Sequence, residues 1–198
     1  MKRTRIIGLT GQSGAGKSTV GEIFAQNGIK VISADSLVAE IYRGGSPCLK
    51  TIAACFGSDI IDQNGEPNRR LLAQRAFSSK ENTVLLGKIV HPFVTAELFR
   101  ELKDNQYDVI IYDAPQLFEA DAQVICDAVV SVVADEKIRL KRILSRDNIS
   151  EEQVRQRFSA QLDEAFFRKN SDFVIENNGD KNNLRQQAQK IAEAVGKG

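Results

Sequence analysis

A glycine-rich segment near the amino terminus constrains this chain more than any other feature of its sequence. Residues 11–19 read GQSGAGKST, which satisfies the pattern G-x-x-x-x-G-K-[ST]. The apolar run at residues 6–9 precedes this segment, and a helical pattern of apolar residues follows it. A strand, glycine loop and helix in this order are typical of a P-loop, whose backbone N–H groups surround phosphate oxygens. The sequence therefore predicts a nucleotide-binding α/β protein.

Each part of the loop has an expected role in holding phosphate groups. Glycines allow the backbone to turn its N–H groups inward, and the N-terminus of the following helix adds a partial positive charge. Lys17 is expected to neutralise the β- and γ-phosphates, and the Ser18 hydroxyl to coordinate Mg²⁺. The predicted nucleotide-binding residues of the loop are Gly11, Gly14, Ala15, Gly16, Lys17, Ser18 and Thr19.

Short β-branched runs alternate along the chain with longer segments of helical period. This alternation is typical of βαβ units around a parallel sheet. Several of the runs are apolar almost throughout, as expected when helices cover both faces of the sheet. We predict a three-layer α/β core with a five-stranded parallel sheet, whose strands are residues 5–9, 30–33, 108–112, 128–133 and 173–176.

Helices are predicted to fill the gaps between these strands. One begins at the glycine-rich turn and runs to about Asn27, where Gly28 supplies a left-handed cap. Another covers residues 136–146. A further helix begins after Ser150, because Ser150 and Gln153 form a capping-box pattern.

Two regions carry no strand in this prediction. Residues 47–103 are expected to form several helices inserted between the second and third strands, and residues 194–198 are expected to be a frayed end. We find no internal repeat and no low-complexity linker. The whole chain, residues 1–198, is therefore predicted to be one domain.

The amino-acid composition limits the cellular compartments and the binding partners that we expect for this protein. Because the formal net charge is +1, the protein has no general attraction for nucleic acid or for an anionic membrane. No apolar run approaches the roughly 20 residues that a membrane span requires. The three cysteines form no C-x-x-C pair, which suits a reducing compartment. We expect a soluble, cytoplasmic monomer without nucleic-acid or membrane partners.

A P-loop by itself does not separate a switch protein, a mechanical ATPase and a small-molecule kinase. A guanine-nucleotide switch normally carries an N-K-x-D motif, which is absent here, and residues 62–65 fit D-x-x-G only in a polar turn. A sequence of 198 residues with no long arm or second domain also gives little support for a motor or a helicase. A metabolite kinase and a non-catalytic nucleotide-binding regulator remain as alternatives.

Two carboxylates follow predicted strands and favour the kinase. Asp35 lies just beyond the second strand, at the sheet edge where α/β proteins bind ligands, and could orient or deprotonate a hydroxyl. Its alternative role is to cap a helix beginning at Ser36. Asp113 ends the third strand in the form of a Walker B segment, whose carboxylate helps to hold Mg²⁺.

Several further segments occur in a recognisable order along the chain, at residues 8–20, 31–35, 65–69, 89–92, 113–119, 142–147, 157–161, 169 and 172–177. Together and in this order, these segments resemble those of the dephospho-coenzyme A kinase family. Ser33 and Gln116 depart from the family pattern, which commonly has Asp and Leu at these places.

The resemblance implies a specific reaction and a fold. The reaction is ATP-dependent phosphorylation of the 3′-hydroxyl of dephospho-CoA to give coenzyme A and ADP, the final step of coenzyme A biosynthesis. ATP and Mg²⁺ are the implied cofactors, although the residues themselves leave ATP and GTP open. The implied fold is a P-loop kinase core with a helical substrate-binding region at about 47–103 and a lid at about 136–169.

The same resemblance implies roles for individual side chains. It makes Asp35 the base or hydroxyl-orienting group, and it places Arg142 and Arg146 in a lid over ATP, with Arg142 also catalytic. The implied catalytic residues are thus Asp35, Lys17 and Arg142, and Asn177 is an implied adenine contact. The implied substrate-binding residues are Asp35, Asn68, Arg69, His91, Pro92, Asp113 and Leu117.

Simpler interpretations of some of these residues stay open. The lid arginines could form a solvated basic face together with Arg139 and Lys141. Asn177 could be a turn residue. His91 could have a structural role, but because Pro92 disfavours helical geometry at the residue before it, we predict a corner between two helices there.

Overall fold

A computed structural model describes residues 3–103 and 106–196 of the protein. The strands are β1 (Arg5–Gly11), β2 (Lys30–Ser33), β3 (Val109–Asp113), β4 (Ala128–Val133) and β5 (Phe173–Glu176). The α-helices are α1 (Lys17–Gln26), α2 (Ala34–Ile41), α3 (Pro47–Phe56), α4 (Arg69–Ala76), α5 (Lys80–Lys103), α6 (Glu136–Asp147), α7 (Glu151–Ser159), α8 (Glu164–Asn170) and α9 (Lys181–Gly196). Short 3₁₀ turns lie at Ser58–Ile60 and Ala122–Ile125.

The strands form a five-stranded parallel sheet in the order β2–β3–β1–β4–β5, which confirms the predicted fold class. β1 is central, with Leu9 opposite Asp113 of β3 and Gly11 opposite Val132 of β4. The predicted bounds of β2, β4 and β5 are confirmed, whereas β3 begins and ends one residue later than predicted. β1 extends to Gly11 because the start of the glycine loop still pairs with β4.

Side chains that alternate along the strands pack against helices. On one face, Ile7 and Leu9 of β1 join a buried cluster with residues of β3, β4, α1 and α9. On the other face, Leu117 packs against Gly8, and α8 packs against β4. Both faces of the central strand are therefore covered, by helices on one side and by the segment around Leu117 on the other, which holds the following loop at one edge of the sheet.

The ends of three helices test the sequence predictions. Gly28 caps α1 with a φ of 79°, and Ile29 N–H donates to the carbonyl of Phe24 as in a Schellman motif. The capping box of Ser150 and Gln153 is also confirmed at the start of α7. The frayed end is wrong for residues 194–196, because α9 reaches Gly196 and Val195 is buried. Residues 197–198 lie outside the described residues.

The chain divides into two compact units. One comprises Met1–Ile32 and Gln106–Gly198, and the other comprises Ser33–Asn105. The second unit contains α2 to α5, so the prediction of helices without a sheet strand over residues 47–103 is confirmed. The single-domain organisation, with the lid at about 136–169, stays a prediction. Within the described residues, no helix is both long enough and apolar enough to cross a membrane.

The predicted corner at Pro92 is wrong, because α5 continues through this proline. A proline inside a helix removes one backbone hydrogen bond and disfavours the helical form of the residue before it. Here, Val90, Val94 and Leu98 are buried on one side of α5, where it packs against α2, α3 and α4. This burial offsets the local cost of Pro92, and local rules alone could not foresee it.

Candidate active site

The glycine loop presents an open helix N-terminus. Gly16 precedes α1 in a left-handed conformation, and α1 begins at Lys17. No side chain caps this end, and the first turn of α1 contains no acidic residue. Its N–H groups and the positive end of the helix dipole are therefore left for an anion. Ser18 and Thr19 are exposed on the same first turn.

Two glycines of the loop are required by close neighbours as well as by their backbone angles. A Cβ at Gly16, where φ is 100°, would lie 2.3 Å from the Asn177 side-chain nitrogen. A Cβ at Gly14, where φ is 79°, would lie 2.9 Å from the Arg139 carbonyl oxygen. Any larger residue at either position would force the loop out of this shape.

Lys17 and Asp113 form an ion pair at the base of the loop. Their side chains are only 15% and 16% exposed, so water screens the pair weakly. Asp113 ends β3 next to β1, and this register brings the carboxylate to the lysine at the start of α1. The structure thus joins two residues that the sequence predicted separately as phosphate-binding and Mg²⁺-binding groups.

Side chains from outside the loop bind its outward-facing carbonyl groups. Arg142 of α6 donates to the carbonyl oxygens of Gly14 and Ala15, each at 3.4 Å, and to the Asn177 carbonyl at 3.0 Å. The Asn177 side chain donates to the Ala15 carbonyl at 2.7 Å. These contacts fix the directions of the Gly14 and Ala15 carbonyl groups and so hold the shape of the loop. The contacts of Arg142 and Asn177 with ATP stay predictions.

Arg146 lies further along α6 and is bound to a neighbouring acid. Its Nε donates to Asp147 at 2.5 Å, and Arg157 of α7 donates to the same carboxylate at 2.8 Å. These two hydrogen bonds hold the pKa of Asp147 well below its usual range. Asp147 therefore ties α6 to α7 in the predicted lid, and the role of Arg146 in ATP binding stays a prediction.

Oxygen groups suited to Mg²⁺ lie beside the loop. Mg²⁺ prefers oxygen ligands and is usually held by one or two protein groups together with substrate phosphates and water. The exposed Ser18 hydroxyl and the Asp113 carboxylate fit this requirement. No cluster of three or more metal-binding acids, histidines or cysteines occurs among the described residues. The donors present therefore suit a metal that arrives with a nucleotide.

Most of the residues predicted to bind the acceptor lie in the second unit, whereas Asp113 and Leu117 lie in the first. Asp35 is the second residue of α2, is exposed, and has no hydrogen-bond or ion-pair partner within residues 3–103 and 106–196. It does not act as the helix cap, because Ser33 occupies that position. Asn68 caps α4 by accepting from Leu71 N–H at 3.1 Å. Arg69 and His91 are exposed on α4 and α5, and their substrate contacts stay predictions.

Comparison with known proteins identifies the family to which this chain belongs. Residues 5–183 match the family model described as "CoaE: Dephospho-CoA kinase". The chain belongs to the dephospho-CoA kinase family. The match covers the glycine loop, both units and β5, so the resemblance first seen in separate motifs extends across the fold.

Two curated relatives carry the name of this family, and two solved structures share the fold. The dephospho-CoA kinase of Syntrophotalea carbinolica is 42% identical and covers 92% of this chain and 88% of its own length. That of Arabidopsis thaliana is 37% identical, with coverage of 94% and 82%. The structure described as TT1252 from Thermus thermophilus has a TM-score of 0.85 at 30% identity, with 98% of each chain covered. A shikimate kinase from Bacteroides thetaiotaomicron, with a TM-score of 0.53 at 13% identity, shares the fold.

One predicted substrate contact of this dephospho-CoA kinase family member belongs to the core. Leu117 is completely buried, and its side chain packs against Gly8 of β1 and lies next to Cys126. A side chain without accessible surface cannot contact a substrate in this conformation. We therefore assign Leu117 to the packing beneath the sheet. The motif resemblance could not reveal this, because it places a residue in a segment without showing which way its side chain points.

Leu117→Ala is expected to lower the free energy of unfolding by about 3 kcal/mol, because it removes buried methyl groups and leaves a cavity. Urea unfolding measures this change. Val124→Ala, at a position that is 77% exposed, is the control and should change stability by less than about 0.5 kcal/mol. A higher KM for dephospho-CoA without a loss of stability would contradict the core assignment.

Three residues next to the loop were missed as functional candidates. Arg139 enters the sequence analysis only in the alternative of a solvated basic face, but it is buried and donates to the Ser13 carbonyl. Gln161 accepts from Ser13 N–H at 3.2 Å. Gln12 is buried, and its side-chain oxygen has no hydrogen-bond partner among the described residues. Gln12 lies within the glycine-rich motif and Gln161 within a family-like segment, so these two carried a sequence signal and Arg139 carried none.

Proposed function

We propose that this protein transfers the γ-phosphoryl group of ATP to the 3′-hydroxyl of dephospho-CoA, which produces coenzyme A and ADP. Family membership over residues 5–183 is the observation that carries this proposal. The geometry of the glycine loop supports it, because the loop offers an uncapped helix N-terminus and a lysine positioned for phosphate groups.

Charge neutralisation around the phosphates is the main chemical contribution of the loop. Phosphoryl transfer needs positioning and electrostatic stabilisation more than it needs a strong base. Backbone N–H groups of the loop and Lys17 would bind the phosphate oxygens. Ser18 and Asp113 would hold Mg²⁺, which neutralises charge that develops on the phosphate oxygens when it is bound. For this, Lys17 exchanges its pairing with Asp113 for a pairing with phosphate.

Asp35 is the proposed group that acts on the acceptor hydroxyl. It follows the carboxyl end of β2, the edge at which parallel α/β sheets bind ligands. Because its carboxylate is exposed and unpaired among the described residues, it is free to accept a hydrogen bond from an alcohol. The hydroxyl proton moves to Asp35 as the oxygen bonds to phosphorus and ADP leaves.

Other predicted residues would complete the two binding sites. We propose that Asn68, Arg69, His91 and Pro92 contact dephospho-CoA, with Arg69 pairing with its anionic groups. Arg142 and Arg146 would act from the lid over ATP, where closure excludes water as a competing acceptor. We further propose that the enzyme acts as a cytoplasmic monomer.

An acceptor screen tests the proposed function. Purified protein is incubated with ATP, Mg²⁺ and a panel of dephospho-CoA, nucleoside monophosphates and shikimate, and the products are identified by mass spectrometry. We expect coenzyme A and ADP from dephospho-CoA and slow turnover of the other acceptors. Efficient phosphorylation of another acceptor with dephospho-CoA unused would contradict the assignment. Tight nucleotide binding without any phosphorylated product would favour the non-catalytic regulator.

A further inference from the structure

The Ser13 peptide groups are held from both sides by side chains that lie outside the glycine loop. Arg139 of α6 donates to the Ser13 carbonyl at 3.4 Å. Gln161, between α7 and α8, accepts from Ser13 N–H through Oε1 at 3.2 Å. Arg142 and Asn177 bind the next two carbonyls of the loop, as described above. At Ser13, the segment following α7 thus contacts a backbone N–H group of the kind that donates hydrogen bonds to phosphate in a P-loop.

Arg139 is held too firmly to be an ordinary surface cation. It is only 6% exposed, and its Nε donates to the Ala134 carbonyl at 3.1 Å. Its guanidinium carbon lies 4.1 Å from the centre of the Phe158 ring in α7. Burying a charged group is costly unless its surroundings compensate for the lost water. Two carbonyls and an aromatic face provide this compensation, and together they fix the guanidinium beside the loop.

Nearby charges support the same placement of Arg139. Burial lowers the pKa of its guanidinium, while the charges of Glu136 and Glu164 act in the opposite direction. Lys141, two residues further along α6, is exposed. Within the basic run of α6, Arg139 is therefore buried and contacts the loop, whereas Lys141 faces water. Lys141 is a matched control for experiments on Arg139.

The side-chain oxygen of Gln161 binds a loop N–H group that a phosphate oxygen would otherwise bind. Its side-chain oxygen accepts a hydrogen bond from a backbone N–H of the kind that binds phosphate oxygens in a P-loop. One donor hydrogen cannot make two full hydrogen bonds at once. A phosphate oxygen that binds to Ser13 N–H must therefore displace Gln161.

A cavity gives the displaced side chain somewhere to go. It has a volume of about 450 Å³ and is lined by Gln12, Arg139, Phe158 and Gln161 among others. Gln12 is 5% exposed, and its Oε1 is buried without a partner among the described residues. Buried oxygens of this kind normally accept a hydrogen bond. The amide N–H₂ group of Gln161 could supply one after it leaves Ser13.

We propose that Arg139 is a positioning residue of the nucleotide site, which holds the Ser13 carbonyl outward, and that Gln161 covers Ser13 N–H until a nucleotide phosphate displaces it. Arg139 therefore favours nucleotide binding. The hydrogen bond between Ser13 N–H and Gln161, which forms in the absence of nucleotide, opposes it. The proposal rests on the nucleotide-binding part of the proposed function and is independent of the acceptor.

Titration calorimetry with ADP, without any acceptor, tests the role of Arg139. Arg139→Met should weaken ADP binding by about tenfold to a hundredfold, because a hydrogen bond from a charged donor is lost. Arg139→Lys should restore little of the affinity, because an ammonium group cannot reproduce the planar, forked donor. Lys141→Met should bind ADP within about twofold of the parent protein.

Stability measurements separate a positioning role from a purely structural one. Thermal unfolding and circular dichroism establish that each variant is folded before titration. Phe158→Leu removes the aromatic face without touching the loop and should weaken ADP binding by about twofold to fivefold. A lower melting temperature for folded Arg139→Met, with unchanged ADP affinity, would overturn the positioning role.

Gln161→Leu tests whether a nucleotide phosphate displaces Gln161, because displacement predicts that the substitution raises ADP affinity. Because nucleotide binding no longer breaks a hydrogen bond, ADP affinity should rise by about twofold to tenfold. Weaker or unchanged ADP binding by folded Gln161→Leu would overturn the displacement. Failure of the parent protein to phosphorylate dephospho-CoA would contradict the proposed function and leave this result unaffected, because the titration contains no acceptor.

Discussion

Lys17→Met is expected to lower the rate of phosphoryl transfer by about a thousandfold. The substitution keeps the apolar length of the side chain and removes the charge that would neutralise phosphate oxygens in the transition state. Loss of a single preorganised stabilising group at a reacting centre commonly costs two to three orders of magnitude, or roughly 3–4 kcal/mol. ADP affinity should also fall, because the ground-state phosphates lose the same contact. Steady-state kinetics and titration calorimetry measure the two effects.

The ion pair with Asp113 requires a control for this experiment. Lys17→Met leaves a largely buried carboxylate without its partner, which can lower stability independently of catalysis. The double variant Lys17→Met with Asp113→Asn removes that unpaired charge and should recover stability without recovering turnover. Lys30→Met, at an exposed position in β2, should leave stability and turnover unchanged. Normal turnover and affinity in folded Lys17→Met would contradict the phosphate-binding role of the loop.

Asp35→Asn is expected to lower kcat by about a hundredfold to ten-thousandfold while ADP affinity remains within about twofold of the parent value. Asparagine has nearly the same shape as aspartate but cannot accept the hydroxyl proton. ADP binding should persist, because the phosphate cradle is built from loop residues and not from Asp35. Initial-rate kinetics with dephospho-CoA measure kcat, and calorimetry measures the affinity for ADP.

Asp35 also has a structural effect on α2, which can be measured separately from catalysis. Asp35 lies in the first turn of α2, where a negative charge stabilises the helix by about 0.3–1 kcal/mol. Asp35→Asn should therefore lower stability slightly, whatever its catalytic effect. Ser36→Ala, at the exposed neighbouring position, is the matched control and should retain activity. Turnover of Asp35→Asn within about threefold of the parent, together with reduced stability, would reduce Asp35 to a helix-stabilising residue.

Local patterns predicted those parts of the fold that depend on neighbours in sequence. The end of α1 at Gly28 follows from the left-handed conformation that glycine adopts at low cost. The capping box at Ser150 likewise uses groups within one helical turn. The predicted strands have nearly the right bounds because apolar, β-branched runs suit a sheet covered on both faces.

Predictions failed where distant contacts outweigh local preference. The helix α5 continues through Pro92 because the buried residues around it pack against three other helices. The residues before Gly196 remain helical because Val195 is buried, and Arg5 donates to its carbonyl at 2.6 Å. In each case a partner far along the chain supplies the free energy that decides the conformation.

The sequence by itself determined that the chain is an α/β protein with a phosphate-binding loop, and its spaced motifs indicated the kinase family. These properties are encoded locally, by glycines, a lysine and apolar periods. Only the tertiary structure decided which side chains meet. It placed Leu117 in the core, joined Lys17 to Asp113, and buried Arg139 beside Ser13 while Lys141 stayed in water. Such pairings depend on how helices pack on a sheet, because packing brings together residues that are far apart along the chain.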